Sequence, residues 1–170
     1  MYQMHRIFCA TPWELEAERY LFHDVVARFN ETSAMPRGIL YLPVALGNVM
    51  DKRPLQYSVD QNIAECRHYI LLLSEDWGPP ARNFRHDYHL ALQCVNDPNS
   101  PMTSVAVLAK KQPGSFLPQG GSLPEDLPRP EAIFSSPAEF DTCVTALLVD
   151  WLESLTADEP AARFMATNAG

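Results

Sequence analysis

The chain has 170 residues, of which 46% are hydrophobic and 20% are charged. This length and composition are typical of one globular domain and argue against disorder over most of the chain. Lysine and arginine number 13 against 21 acidic residues, so the formal net charge is −8. An acidic balance of this size argues against nucleic-acid binding through a broad phosphate-contacting face.

The first strand is predicted over residues 6–10, and a helix over residues 12–31 should follow it. Thr11 is the expected N-cap of this helix, with Pro12 at the first helical position. The apolar side of the helix recurs every four residues, at Ala17, Leu21, Val25 and Phe29. A second strand is expected over residues 39–46. Pro43 within it favours a sheet edge, because proline cannot donate to a strand ladder.

A polar loop over residues 47–57 should lead to a short helix, opened by the capping pattern Ser58-x-x-Gln61. Residues 68–74 are nearly continuous in apolar character, which is typical of a central strand covered on both faces. Leu71, Leu72 and Leu73 are therefore expected to be buried. A helix over about residues 83–95 and a strand over residues 103–109 complete this part of the chain.

Residues 112–137 are rich in proline and glycine, which predicts a long loop with a short strand near Ala132–Phe134. Ser136-Pro137 repeats the start signal of Thr11-Pro12 and predicts the last helix. The apolar side of that helix comprises Phe140, Val144, Leu147, Leu148, Trp151 and Leu155. We expect one domain over residues 1–156 and a polar tail over residues 157–170.

Four cysteines lie in or beside apolar segments, at Cys9, Cys66, Cys94 and Cys143, and none belongs to a Cys-x-x-Cys pair. This usage predicts four buried, reduced thiols rather than a structural zinc site. The first residues show no basic segment followed by a long apolar stretch, and no apolar run is long enough to span a bilayer. A cytoplasmic location without a membrane partner is therefore expected.

Alternation of strands and helices predicts parallel strands with right-handed crossovers. The expected fold is α/β: a three-layer sandwich around a five-stranded, flavodoxin-like sheet of order 2-1-3-4-5. In such a sheet the ligand crevice lies at the carboxyl ends of strands one and three. Residues 9–13, 47–57 and 74–78 should converge there.

Candidate ligand-binding residues at this crevice are Thr11, Trp13, Ser74, Asp76 and Trp77. The two tryptophan rings offer flat surfaces on which a planar ligand could stack. The sequence contains neither a GxGxxG nor a GxxxxGK[ST] pattern, and it lacks a GxSxG elbow. These absences disfavour dinucleotide binding of the Rossmann kind, P-loop chemistry and the α/β-hydrolase mechanism.

Asp87 falls in the first turns of the helix that follows the crevice. Its carboxylate could orient a ribose hydroxyl or stabilise positive charge on a sugar ring, or it could simply complement the helix dipole. His86 and His89 stand three positions apart on the same predicted helix. No third ligand is evident in the sequence, so no metal site is predicted.

Three segments together resemble the bacterial TIR-like family of domains of unknown function. RIFCATPWELEAER is similar to the opening block of that family, and IAECRHYILLLSEDWG is similar to its second block. Phe84-x-x-Asp87-Tyr88-x-x-Ala91 resembles a TIR helix whose glutamate is catalytic in members that cleave NAD. The resemblance covers roughly residues 5–110, and Asp87 stands where that glutamate would be.

The resemblance implies a signalling or protein-interaction domain that self-associates or docks on a protein partner, with no required cofactor. An alternative is an enzyme that cleaves the N-glycosidic bond of NAD or a related nucleoside, with Asp87 as its catalytic residue. A third hypothesis is a nucleotide sensor that binds its ligand without turnover.

Overall fold

A computed structural model of the chain describes residues 1–44, 56–78, 82–113 and 126–167. These residues form five strands and four α-helices that alternate along most of the chain. The strands are β1 (Gln3–Ala10), β2 (Ile39–Val44), β3 (His68–Leu73), β4 (Ser104–Lys110) and β5 (Ala132–Phe134). The helices are α1 (Glu16–Phe29), α2 (Gln56–Ala64), α3 (Phe84–Asn96) and α4 (Pro137–Thr167).

All five strands are parallel, and their order across the sheet is β2-β1-β3-β4-β5. The predicted fold class and strand order are therefore confirmed. Strand β3 lies between β1 and β4, and each of its six residues is buried. Strand β2 is at the sheet edge, where Pro43 is tolerated because the outward-facing side of an edge strand needs no donor.

Two apolar layers cover the sheet. On one face α1 and α4 pack together over alternate residues of the strands, among them Ile7, Ile70 and Leu72. On the other face α2 and α3 cover the intervening positions, such as Phe8, Tyr69 and Leu71. Both faces of the sheet thus belong to the core, as the continuous apolar run of β3 predicts.

The two similar helix starts behave differently. Ser136 caps α4, because its hydroxyl accepts a hydrogen bond from the Glu139 amide at 3.2 Å and Pro137 occupies the first helical position. The predicted cap at Thr11 is wrong. A 3-10 turn over Trp13–Leu15 precedes α1, so the α-helix begins well after Thr11.

The helices differ from the predictions in three further respects. Helix α2 begins at Gln56, so Ser58 lies inside it rather than at its cap. In α1, Ala17 is exposed and Glu18 is buried, because Glu18 turns inward to pair with Lys110 at the end of β4. The backbone of α4 continues past residue 156, through most of the predicted polar tail over residues 157–170.

The predicted burial of all four cysteines is correct for Cys9 and Cys66 only, since Cys94 and Cys143 are half-buried. Residues 45–46 of the second predicted strand lie outside the described residues, as do residues 47–55 of the loop predicted over 47–57 and residues 114–125 of the loop predicted over 112–137. Within the described part of the chain, none of the helices combines the length and apolar character needed to cross a bilayer.

Candidate functional site

The loops after β1 and β3 meet at the carboxyl end of the sheet, where the strand order reverses. Gly78 has a φ of +78°, which suits glycine, and its α-carbon packs between Pro12 and Phe84. A Cβ at Gly78 would lie 3.4 Å from the Pro12 Cβ and 3.3 Å from the Phe84 ring. The predicted convergence of residues 9–13 and 74–78 therefore agrees with the structure.

Two of the candidate residues after β1 face different surroundings. The Thr11 hydroxyl lies 3.4 Å from the Cys9 sulfur, at the end of the strand. Trp13 points outward with 66% of its surface exposed. Burial raises the pKa of Cys9 to about 12, so this thiol stays protonated at neutral pH and is a poor nucleophile.

The three candidates after β3 bond to groups of the chain itself. Ser74 is buried, and its hydroxyl accepts a hydrogen bond of 3.0 Å from the Gln112 side chain. The Asp76 carboxylate accepts a 2.7 Å bond from the Gly78 amide. Such a bond between an aspartate and the amide two positions on is typical of a tight turn.

Trp77 is held between two partners. Its ring packs against Tyr88 at a centroid distance of 5.9 Å, and its indole N–H donates to the Asp126 carboxylate at 3.3 Å. Asp126 also lies 3.7 Å from the Arg85 guanidinium. These contacts join the loop after β3 to α3 and to the segment before β5.

Asp87 is 1% exposed and lies beneath the first turn of α3. Its Oδ2 is 3.6 Å from Nη2 of Arg82, a residue that belongs to none of the predicted sites. Burial raises the pKa of Tyr69 well above its usual value, and the negative charge of Asp87 adds to that effect. Asp87 therefore lies in the layer between α3 and β3, within electrostatic reach of Arg82 and Tyr69.

The helix that carries Asp87 has a side-chain cap of its own. The Asn83 side chain accepts a hydrogen bond of 3.1 Å from the His86 amide. This bond satisfies one of the free amides in the first helical turn. The first turn of α3, which carries Asp87, is thereby stabilised.

Two further polar pairs could not be predicted from the sequence, because the two members of each pair are far apart along the chain. His86 Nε2 lies 3.1 Å from Oδ1 of Asp60, which belongs to α2. The half-buried Lys110 pairs with the buried Glu18 of α1. No helical or strand spacing links these positions, so only the tertiary fold brings them together.

No family model matches the sequence, and no curated protein matches it. What the fold and the site define is a class of architecture: a parallel α/β domain with flavodoxin-like strand order. At the point where the strand order reverses, Gly78 packs against Pro12 and Phe84, and the buried carboxylate of Asp87 lies in the first turn of α3.

Proposed function

We propose that the chain is a TIR-like protein-interaction domain that self-associates through Trp13, Arg19 and Tyr20, here called the aromatic surface. The observation that carries this proposal is the exposure of two large aromatic side chains, 66% for Trp13 and 61% for Tyr20. Trp13 lies in the 3-10 turn that precedes α1, and Tyr20 lies in α1, where the Arg19 guanidinium is 5.0 Å from the centre of the Tyr20 ring. Tryptophan, tyrosine and arginine are enriched among the few residues that carry most of the binding energy of protein interfaces.

The crevice supports the same proposal. Asp76 and Trp77, expected to hold a ligand, bond instead to Gly78 and Asp126. Ser74 is likewise occupied by Gln112. A domain whose polar crevice groups serve its own loops is well suited to act through its outer surface, without a required cofactor.

The double variant Trp13→Ala, Tyr20→Ala is expected to weaken self-association of the chain about tenfold or more, since truncation of central aromatic residues commonly costs 2 kcal/mol or more. Sedimentation equilibrium over a range of protein concentrations measures this change. Met4→Ala is the matched control, because Met4 is 65% exposed and lies on β1, away from the aromatic surface. A wild-type chain that stays monomeric throughout, or a control that weakens association equally, would refute the proposal.

The alternative, cleavage of NAD or a related nucleoside, is favoured by one observation. Asp87 is a carboxylate with 1% exposure in the first turn of α3, which begins at the carboxyl end of the sheet. Acid–base catalysis by a positioned carboxylate contributes roughly 100- to 10,000-fold to a rate.

If the alternative holds, the wild-type chain releases nicotinamide from NAD, and Asp87→Asn lowers that rate about 100-fold or more. Asp97→Asn is the control, because Asp97 is an exposed acid at the other end of α3. Far-ultraviolet circular dichroism must show both variants folded. The enzyme hypothesis fails if the wild-type chain releases no nicotinamide, or if Asp87→Asn keeps the wild-type rate.

A further inference from the structure

Three metal-ligating side chains meet between α2 and α3. Asp60 comes from α2, and His86 and Asp87 come from the first turn of α3. One ligand atom from each lies within 4.8 Å of the other two. The three residues are called the Asp-His-Asp cluster below.

The spacing of the cluster suits one small cation. Two neighbouring ligands bonded to a transition-metal ion at about 2.1 Å lie about 3.0–3.5 Å apart. His86 Nε2 lies 3.1 Å and 3.2 Å from the two carboxylate oxygens of Asp60. The His86 side chain is 44% exposed and that of Asp60 is 35% exposed, so both can adjust to bring Asp87 into the same coordination shell.

The charges of the Asp-His-Asp cluster also favour a bound cation. Two ionised carboxylates within 4.8 Å of one another repel, and burial of Asp87 reduces the screening by water. Arg82, 3.6 Å from Asp87, reduces this repulsion. A divalent ion between the carboxylates would interact favourably with both, with a neutral imidazole as the third ligand.

We propose that the Asp-His-Asp cluster binds one divalent first-row transition-metal ion, of the class that includes Mn²⁺ and Zn²⁺. One imidazole and two carboxylates form a donor set that suits these ions. The partial exposure of Asp60 and His86 leaves room for water in the remaining coordination positions. The proposal does not rest on self-association or on NAD cleavage. Because Asp87 is also the candidate catalytic residue of the alternative, the test below changes Asp60 and His86 and leaves Asp87 in place.

The test is a titration of the EDTA-treated full chain with Mn²⁺ alone, followed by the loss of the free-ion electron paramagnetic resonance signal. Mn²⁺ is chosen because it prefers carboxylate to thiolate, so the half-buried Cys94 and Cys143 do not compete. We expect one saturable site per chain. His86→Ala and Asp60→Asn should each weaken binding about tenfold or more, because even the loss of groups that orient metal ligands costs about 10- to 100-fold in affinity.

His89→Ala is the matched control, because His89 is an exposed imidazole on the same helix and outside the cluster. Its affinity for Mn²⁺ should equal that of the wild-type chain. A second readout is the melting temperature, which Mn²⁺ should raise in the wild-type chain and in His89→Ala but not in His86→Ala. Absence of a saturable site, or equal weakening by His86→Ala and His89→Ala, would overturn the proposal.

Discussion

Replacing Leu72 by alanine is expected to lower the free energy of unfolding by about 2–5 kcal/mol. Leu72 has no exposed surface and lies on β3, between β1 and β4. It faces the layer formed by α1 and α4, so the smaller side chain would leave a cavity at the centre of that layer. The loss combines the transfer free energy of the missing carbons with the cost of the cavity.

Urea denaturation of the wild-type chain and the variant measures this difference. Val149→Ala serves as the control, because Val149 is 37% exposed on α4 and its removal leaves no buried cavity. The control should lose much less stability than Leu72→Ala. Similar losses in the two variants would show that β3 is not the centre of the core.

The order of the sheet could be predicted because each element carries its own signal. Continuous apolar character marks β3 as doubly covered, and Pro43 marks β2 as an edge. Right-handed crossovers then leave few ways to arrange the remaining strands. Each of these signals lies within one short segment, so it can be recognised without knowledge of tertiary contacts.

Helix starts are harder to predict from the sequence, because capping depends on the residues around the cap. Thr11-Pro12 and Ser136-Pro137 look alike in the sequence. Ser136 reaches the Glu139 amide, whereas Thr11 lies beside the Cys9 sulfur and is followed by a 3-10 turn. The same pattern is therefore a cap at Ser136 but not at Thr11.

The sequence predicted where the candidate site lies, but it did not predict all of the residues that form it. Asp87 could be singled out from its position after β3, while its partner Arg82 lacks any distinguishing pattern. The contact of His86 with Asp60 joins two helices, and sequence spacing cannot report it. Trp13 and Trp77 are the same residue type after neighbouring strands, yet only the fold shows that one is exposed and the other is packed.

A buried histidine at the opposite end of the sheet predicts how stability depends on pH. His68, the first residue of β3, is 2% exposed and stacks on Trp151 at a ring distance of 4.0 Å. Its Nδ1 lies 2.8 Å from the Ser104 hydroxyl. Burial lowers the pKa of His68 from 6.5 to about 3, and the charges of Arg67 and His5 act in the same direction.

The sign of the effect follows from proton binding. Between about pH 3 and 6.5 the unfolded chain holds a proton on His68 that the folded chain does not. The contribution of His68 to stability is therefore fully present above about pH 6.5 and is lost progressively as the pH falls toward 3. Burial also lowers the pKa of His5, which adds a loss of the same sign.

From about pH 7 to pH 5, His68 is expected to account for a loss of roughly 2 kcal/mol in the free energy of unfolding. Urea denaturation at a series of pH values measures this loss. His68→Asn keeps a polar group near Ser104 but cannot gain a proton in this range, so its stability should fall by roughly 2 kcal/mol less over the same interval. His89→Asn, at an exposed position, is the control for the replacement of a histidine by asparagine. If the free energy of unfolding of His68→Asn instead falls with pH as much as that of the wild-type chain, the acid sensitivity arises from other groups. The expected titration of His68 would then be wrong.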